Sequence, residues 1–160
     1  SLFTTDNISG MIIQSILVMP NKGVLCGTNY GLVWIQNNAN HIYTTDLYKH
    51  KFSNSNFDIH NVPEIAAVNN NFHIADVYSD RQNKIWMAVG YAAGLSGKLV
   101  QVQVLNDDKS DLKFSVEFSE NSQAQFSNGA RILQTKDNRV WIINNQYDQG
   151  ILYFENNQEN

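Results

Sequence analysis

The chain has 160 residues, 42% of them hydrophobic, which is enough apolar material for a packed core. Only 16% are charged, the formal net charge is -4, and Lys and Arg form no cluster, so the sequence offers no phosphate-tracking surface and excludes nucleic acid as a partner. Its apolar runs stop at about five residues, against the roughly 20 that span a bilayer, so no membrane segment is expected in this piece.

In chain order, Leu2-Phe3-Thr4-Thr5 reads as a short strand, the outermost of a preceding or partner unit. Ser15–Thr28 reads as a β-hairpin: apolar and β-branched residues lie on either side of Asn21-Lys22-Gly23, types that tolerate the positive φ of a tight turn. A third strand follows at Gly31–Ile35, and a fourth is expected around Phe52–Ile59. The same order recurs with a hairpin at Asp76–Val89 turning at Gln82-Asn83-Lys84, a strand at Leu99–Val104 and another at Leu112–Phe118. It recurs once more with a hairpin at Arg131–Asn144, turning at Asp137-Asn138-Arg139, and a strand at Gly150–Phe154. No stretch longer than about eight residues keeps a helical period.

The three hairpins align without a gap. Leu25, Trp86 and Trp141 share a column, preceded by Val24, Ile85 and Val140, and nine positions before it stand Ile16, Val77 and Ile132. From column to column the spacing is 61 residues (25 to 86) and then 55 (86 to 141). Four short antiparallel strands at that period are expected for β-propeller blades, slightly longer than the roughly 40–50 residues of the common repeats. The expected fold is therefore all-β, about three four-stranded meanders over residues 12–59, 73–118 and 129–154, with 1–5 as an outer strand. Trp86 and Trp141 are expected to pack one blade on the next.

Each unit resembles the two-component regulator propeller repeat, whose pattern runs Ser-Ile, then Asp, then Gly-Asn-Leu-Trp-Ile-Gly-Thr, then Gly-Leu. The first unit matches at Ser15-Ile16, Gly27-Thr28 and Gly31-Leu32 but has Leu25 in the Trp position; the second keeps Asp80 and Trp86, the third Trp141. The resemblance implies a non-catalytic sensing segment of a bacterial receptor, outside the cytoplasm in the periplasm or extracellular space, joined to a signalling system of two-component type. Three blades do not close a ring, which needs at least four. Either the chain, which opens on Ser1 rather than Met, is a piece of a longer receptor chain, or a second copy completes a six-bladed ring by exchanging the N-terminal strand.

Two sets of residues are candidates for binding a small molecule or a saccharide. In a propeller the loops after the second strands open on one face, and here they carry Asn29, Tyr30, Tyr91, Ser96, Asn145 and Tyr147. A tyrosine recurs in all three loops and offers either a stacking surface for a ligand or packing of one loop on the next. The first column of the repeat holds Ser15, Asp76 and Arg131, so a carboxylate and a guanidinium are expected to face one another as an inter-blade ion pair or as a ligand clamp.

No catalytic, metal or cofactor site is expected. Cys26 stands alone and reads as a small buried apolar residue. His41, His50, His60 and His73 are spaced 9, 10 and 13 apart, without zinc-site pairing, and read as loop or surface residues. The segment Gly90–Lys98 lacks the first Gly and the final Ser or Thr of a phosphate loop, and Asn106–Asp111 lacks the Gly and Glu of an EF-hand. Alternative functions are a homo-oligomeric scaffold or lectin, or a propeller lyase or lactonase built around Asp76 and Arg131.

Overall fold

The computed structural model describes residues 10–37, 39–65, 73–90, 97–106, 111–119, 130–143 and 151–154. The fold is all-β, in three sheets with mostly antiparallel pairing. The first sheet runs in the order β1 (Ile13–Met19), β2 (Gly23–Thr28), β3 (Gly31–Ile35), β4 (Asn40–Thr44) and β5 (Phe57–Asn61). The second comprises β6 (His73–Ser79), β7 (Ile85–Gly90), β8 (Lys98–Asn106) and β9 (Asp111–Ser119), the third β10 (Arg131–Gln134), β11 (Val140–Ile143) and β12 (Ile151–Phe154).

The three aligned hairpins fold as β1–β2, β6–β7 and β10–β11 in one common register. Leu17 faces Leu25, Tyr78 faces Trp86 and Leu133 faces Trp141 across the strands. Their turns sit on the expected triplets, with Asn21 at φ 62°, Asn83 at 60° and Asn138 at 67°, the left-handed region that Asn enters more readily than other side chains. The first turn differs in detail: Pro20 sets the bend after Met19, Lys22 N donates to Met19 O (3.0 Å), and Asn21 supplies the positive φ. In the other two the equivalent bond closes the turn, Asn83 N donating to Asp80 O (3.0 Å) and Asn138 N to Thr135 O (3.1 Å), and the positive φ falls one step later, on the donating Asn itself.

The first sheet departs from expectation. Its fourth strand is Asn40–Thr44, and Phe57–Asn61 is a fifth, paired parallel to it with Asn40 opposite Phe57 and Thr44 opposite Asn61. Parallel neighbours cannot be joined by a hairpin, so a crossover is required. It is supplied here by a single helical turn, α1 (Asp46–Lys49), and the 3-10 turn His50–Phe52. Phe52, expected in a strand, instead drops its ring onto the outer face of the first sheet, against Cys26, Val33 and Ile42.

The second sheet is covered on both faces, so all six residues of β7 are buried without alternation. On one side Val77, Met87, Val89, Val100 and Val102 meet Leu25, Leu32, Trp34 and Tyr43 of the first sheet. On the other, Ala75, Trp86, Ala88 and Leu99 meet Ala130, Ile132, Val140 and Ile142 of the third. Each fully buried large apolar side chain in these layers contributes about 1.5–3 kcal/mol. Trp86 thus packs sheet on sheet as its column predicts. Trp141 is half-buried, on the side of the third sheet that also carries the exposed Ile143. The first strands lie next to one another, β1 against β6 and β6 against β10. The two open faces at the ends of the stack expose apolar side chains, Ile16 and Val18 on β1 and Ile143 on β11. No helix among the described residues is long and apolar enough to cross a membrane.

Candidate functional site

The first-column residues Ser15, Asp76 and Arg131 do converge, because β1, β6 and β10 are neighbours. Just before Ser15 and Asp76 each strand carries an extra residue, between Ile13 and Ser15 and between Ile74 and Asp76, and such bulges re-aim the side chain that follows. Asp76 Oδ1 accepts from Ser15 Oγ (2.7 Å) and from its neighbour Val77 N (3.0 Å), while Oδ2 accepts from Ile132 N (2.7 Å). One carboxylate therefore links all three sheets.

The expected ion pair is not formed. Arg131 Nη1 donates instead to the carbonyls of Ala75 (3.0 Å) and Ala130 (2.8 Å). Asp76, at the middle sheet, meets a backbone N–H of β10 before it can reach a guanidinium anchored on carbonyl oxygens. Each residue thus joins the second sheet to the third, Asp76 through Ile132 N and the exposed Arg131 through Ala75 O.

Asn29 and Tyr30 also have structural partners. Asn29 Oδ1 accepts from Ile12 N (2.8 Å) and its Nδ2 donates to Gly10 O (2.9 Å), which pins the strand entering β1 across the β2–β3 turn. The Tyr30 ring packs on Tyr48 (5.2 Å between centroids) and edge-on to Phe52 (6.3 Å), with the Lys51 ammonium 5.6 Å from its centre. The ring therefore packs on the β4–β5 crossover of its own sheet. Tyr91, Ser96, Asn145 and Tyr147, like the strand at 1–5, lie outside the described residues.

Three histidines correct the reading of loop residues. His41 is buried in β4, His73 is buried at the start of β6, and His60 lies half-buried on β5. Parallel pairing of β4 with β5 brings His41 Nδ1 to 3.2 Å from His60 Nε2 and 3.5 Å from Asp58 Oδ2, with the His60 ring stacked on Tyr43 at 4.6 Å. Among the described residues the buried His41 Nε2 has no partner, which favours its carrying the lone pair and Nδ1 the proton, since an orphaned donor costs more than an orphaned lone pair. Burial lowers the His60 pKa, reinforced by His41 and opposed by Asp58 and Asp111. A spacing of 19 residues matches no motif, so only the strand pairing reveals the couple. Among the described residues no three His, Cys, Asp or Glu side chains are grouped to hold a metal ion.

The feature that sequence reasoning missed is a cleft of about 570 Å³ lined by the ends of the β1–β2 and β6–β7 hairpins and by β8. Met19, Ile85 and Val102 form its buried floor, and the half-buried Leu17 and Val104 form its walls. Lys22, Ser79, Asn83, Lys84, Gln101 and Gln103 supply its polar lining. It lies at the hairpin-turn end of the sheets, opposite the β2–β3 loop that bears Asn29 and Tyr30. Its size falls in the range of about 300–1,000 Å³ common to small-molecule sites, and an apolar floor with a few polar groups is their usual lining. Comparison of the chain with protein-family models, curated proteins and solved structures gives no match.

Proposed function

We propose that this chain is a non-catalytic binding segment made of propeller-type blades, the sensing part of a bacterial extracytoplasmic receptor of two-component type. The cleft between the first two sheets is its recognition site for a small molecule or saccharide. The cleft is the observation that carries the reading: an apolar floor and a polar rim at the meeting of two rigid sheets. The blade interpretation rests on the resemblance of the repeats and agrees with three stacked sheets whose first strands adjoin through Asp76.

A thiol placed at the rim tests it. Gln103→Cys puts an exposed thiol on the cleft, whereas native Cys26 is buried and burial raises its pKa, so it reacts slowly with a maleimide. Members of a metabolite and oligosaccharide library that bind the cleft slow alkylation of the introduced thiol in a saturable way. An alkylation rate unmoved by every member overturns the assignment of the cleft.

The exposed Ile16 (61%) and Val18 (68%) on one end face and Ile143 (38%) on the other favour a second element of the reading. Further sheets, from a longer receptor chain or from a second copy, cover these faces. Light scattering decides between the sources: a discrete dimer supports self-completion and a scaffold or lectin role, and a monomer supports a longer chain.

A further inference from the structure

We propose that His41 and His60 form a proton-operated latch, which holds β5 on the first sheet at neutral pH and releases it in mild acid. The place of the pair in the fold carries the inference. β5 is the outermost strand of its sheet and, among the described residues, pairs on one side only, with β4. It runs between two buried anchors, Phe52 before it and Val62 after it, so Phe57–Asn61 can part from β4 while the rest of the sheet stays packed. The two imidazoles span that pairing, His41 Nδ1 on β4 standing 3.2 Å from His60 Nε2 on β5.

The contact is satisfied when both rings are neutral. A bond between two ring nitrogens uses one proton, carried by His41 Nδ1, and one lone pair, offered by His60 Nε2. A proton added to His60 must enter at Nε2, where it sets two N–H groups against each other. Shifting the His41 proton to its own Nε2 relieves that clash but orphans a donor, since this nitrogen is buried and has no partner among the described residues. A proton added to His41 goes to the same buried nitrogen. Once β5 has parted, water solvates both rings and either proton is accepted without those costs.

The surrounding charges leave the direction unchanged. Burial and His41 lower the His60 pKa, against the opposing pull of Asp58 on β5 and Asp111 at the start of β9. Tyr43, stacked on His60, has its pKa raised by burial and then by Asp111 and stays neutral. On α1, Asp46 and Lys49 pair with each other at 2.8 Å. With an ordinary value near 6.5 in the parted state and a lower one in the paired state, β5 is held fully above about pH 6.5 and loses hold as the pH falls below it.

Amide hydrogen exchange of the full 160-residue chain, compared at about pH 7.5 and about pH 5 after correction for the intrinsic rates, tests the latch. Protection of the β5 amides is expected to fall at least about fivefold, below the ceiling of about 30-fold that one proton with an ordinary pKa near 6.5 sets at pH 5. Protection across β6 and β7 is expected to fall by less. His60→Gln keeps an acceptor for His41 but cannot be charged, so in that chain the extra loss at β5 should vanish. Nitrogen-15 shifts of the imidazoles in the unaltered chain give an independent reading: His41 should carry its proton on Nδ1 at neutral pH, and β5 should open with the midpoint at which His60 titrates. A β5 protection that ignores pH, a loss shared equally by β6 and β7, a loss that persists in His60→Gln, or a His41 proton on Nε2 at neutral pH overturns the latch.

Discussion

Substituting Asp76 by Ala removes a side chain that joins the three sheets. Its carboxylate accepts from Ser15 Oγ at 2.7 Å, Ile132 N at 2.7 Å and Val77 N at 3.0 Å. Val77 N keeps a second acceptor, Ser15 Oγ at 2.9 Å, so the bonds lost outright are those reaching the first and third sheets. Hydrogen bonds to a charged group contribute about 1.5–3 kcal/mol each, and half-burial of Asp76 holds them near the lower end, so Asp76→Ala should cost about 2–4 kcal/mol. Asp76→Asn retains one acceptor oxygen but presents an NH₂ to a donor, and should cost about half as much. Urea unfolding followed by tryptophan fluorescence measures both, since Trp34 and Trp86 are fully buried and report the loss of the core. A double-mutant cycle with Ser15→Ala should return a coupling of about 1 kcal/mol or more, within the range for residues in direct contact. A loss below about 0.5 kcal/mol for Asp76→Ala, the level of an ordinary surface change, or additivity with Ser15→Ala refutes the linking role.

Asp80, 4% exposed, accepts from Gln82 N, Lys84 N and Trp86 Nε1 at 2.8–2.9 Å, whereas its counterpart Thr135 accepts only Trp141 Nε1 (2.8 Å) among those groups and is half-buried. Asp80→Ala should therefore lower stability by about 3 kcal/mol or more and Thr135→Val by about 1 kcal/mol, with the reverse order in urea midpoints counting against the comparison. A Cβ at Gly27 would sit 2.7 Å from Ile74 Cγ2 and 3.0 Å from Ile74 O, so Gly27→Ala should force the first two sheets apart and cost about 1–3 kcal/mol by thermal unfolding; no loss would mean that Ile74 yields freely. Because burial and His41 lower the pKa of His60, the unfolded chain binds the extra proton more readily below its ordinary value near 6.5. Stability should accordingly fall as the pH drops from about 6.5 toward the folded-state value, and His60→Gln should flatten that slope in unfolding curves recorded across the range.

The hairpins were legible because their information is local. Eight residues separate Leu17 from Leu25, Tyr78 from Trp86 and Leu133 from Trp141, and an Asn at positive φ lies between each pair. The fourth strand of the first unit was not legible. Asn40–Thr44 mixes Asn, His and Thr with two apolar residues, and its burial comes from the parallel partner and the Phe52 lid, which are distant choices. The same dependence hides the His41–His60 contact.

The convergence of Ser15, Asp76 and Arg131 could be read from their shared column, but not who bonds to whom. That is decided by the bulges before Ser15 and Asp76 and by which backbone group of β10 comes within reach. The cleft was invisible for a related reason. Its residues come from two hairpin ends and the middle of β8, which are far apart in sequence and become neighbours only when the first two sheets pack together.

The central claim, that the chain is a binding segment with its site between the first two sheets, is tested most directly by mapping amide shifts. The ¹⁵N-labelled chain is titrated with a set of small amphiphiles and saccharides. The account predicts saturable shifts clustered at Leu17–Lys22, Ser79–Ile85 and Gln101–Val104. Shifts confined to the Asn29–Tyr30 turn or to the Ser15–Asp76–Ile132 junction, or none that saturate, would contradict it.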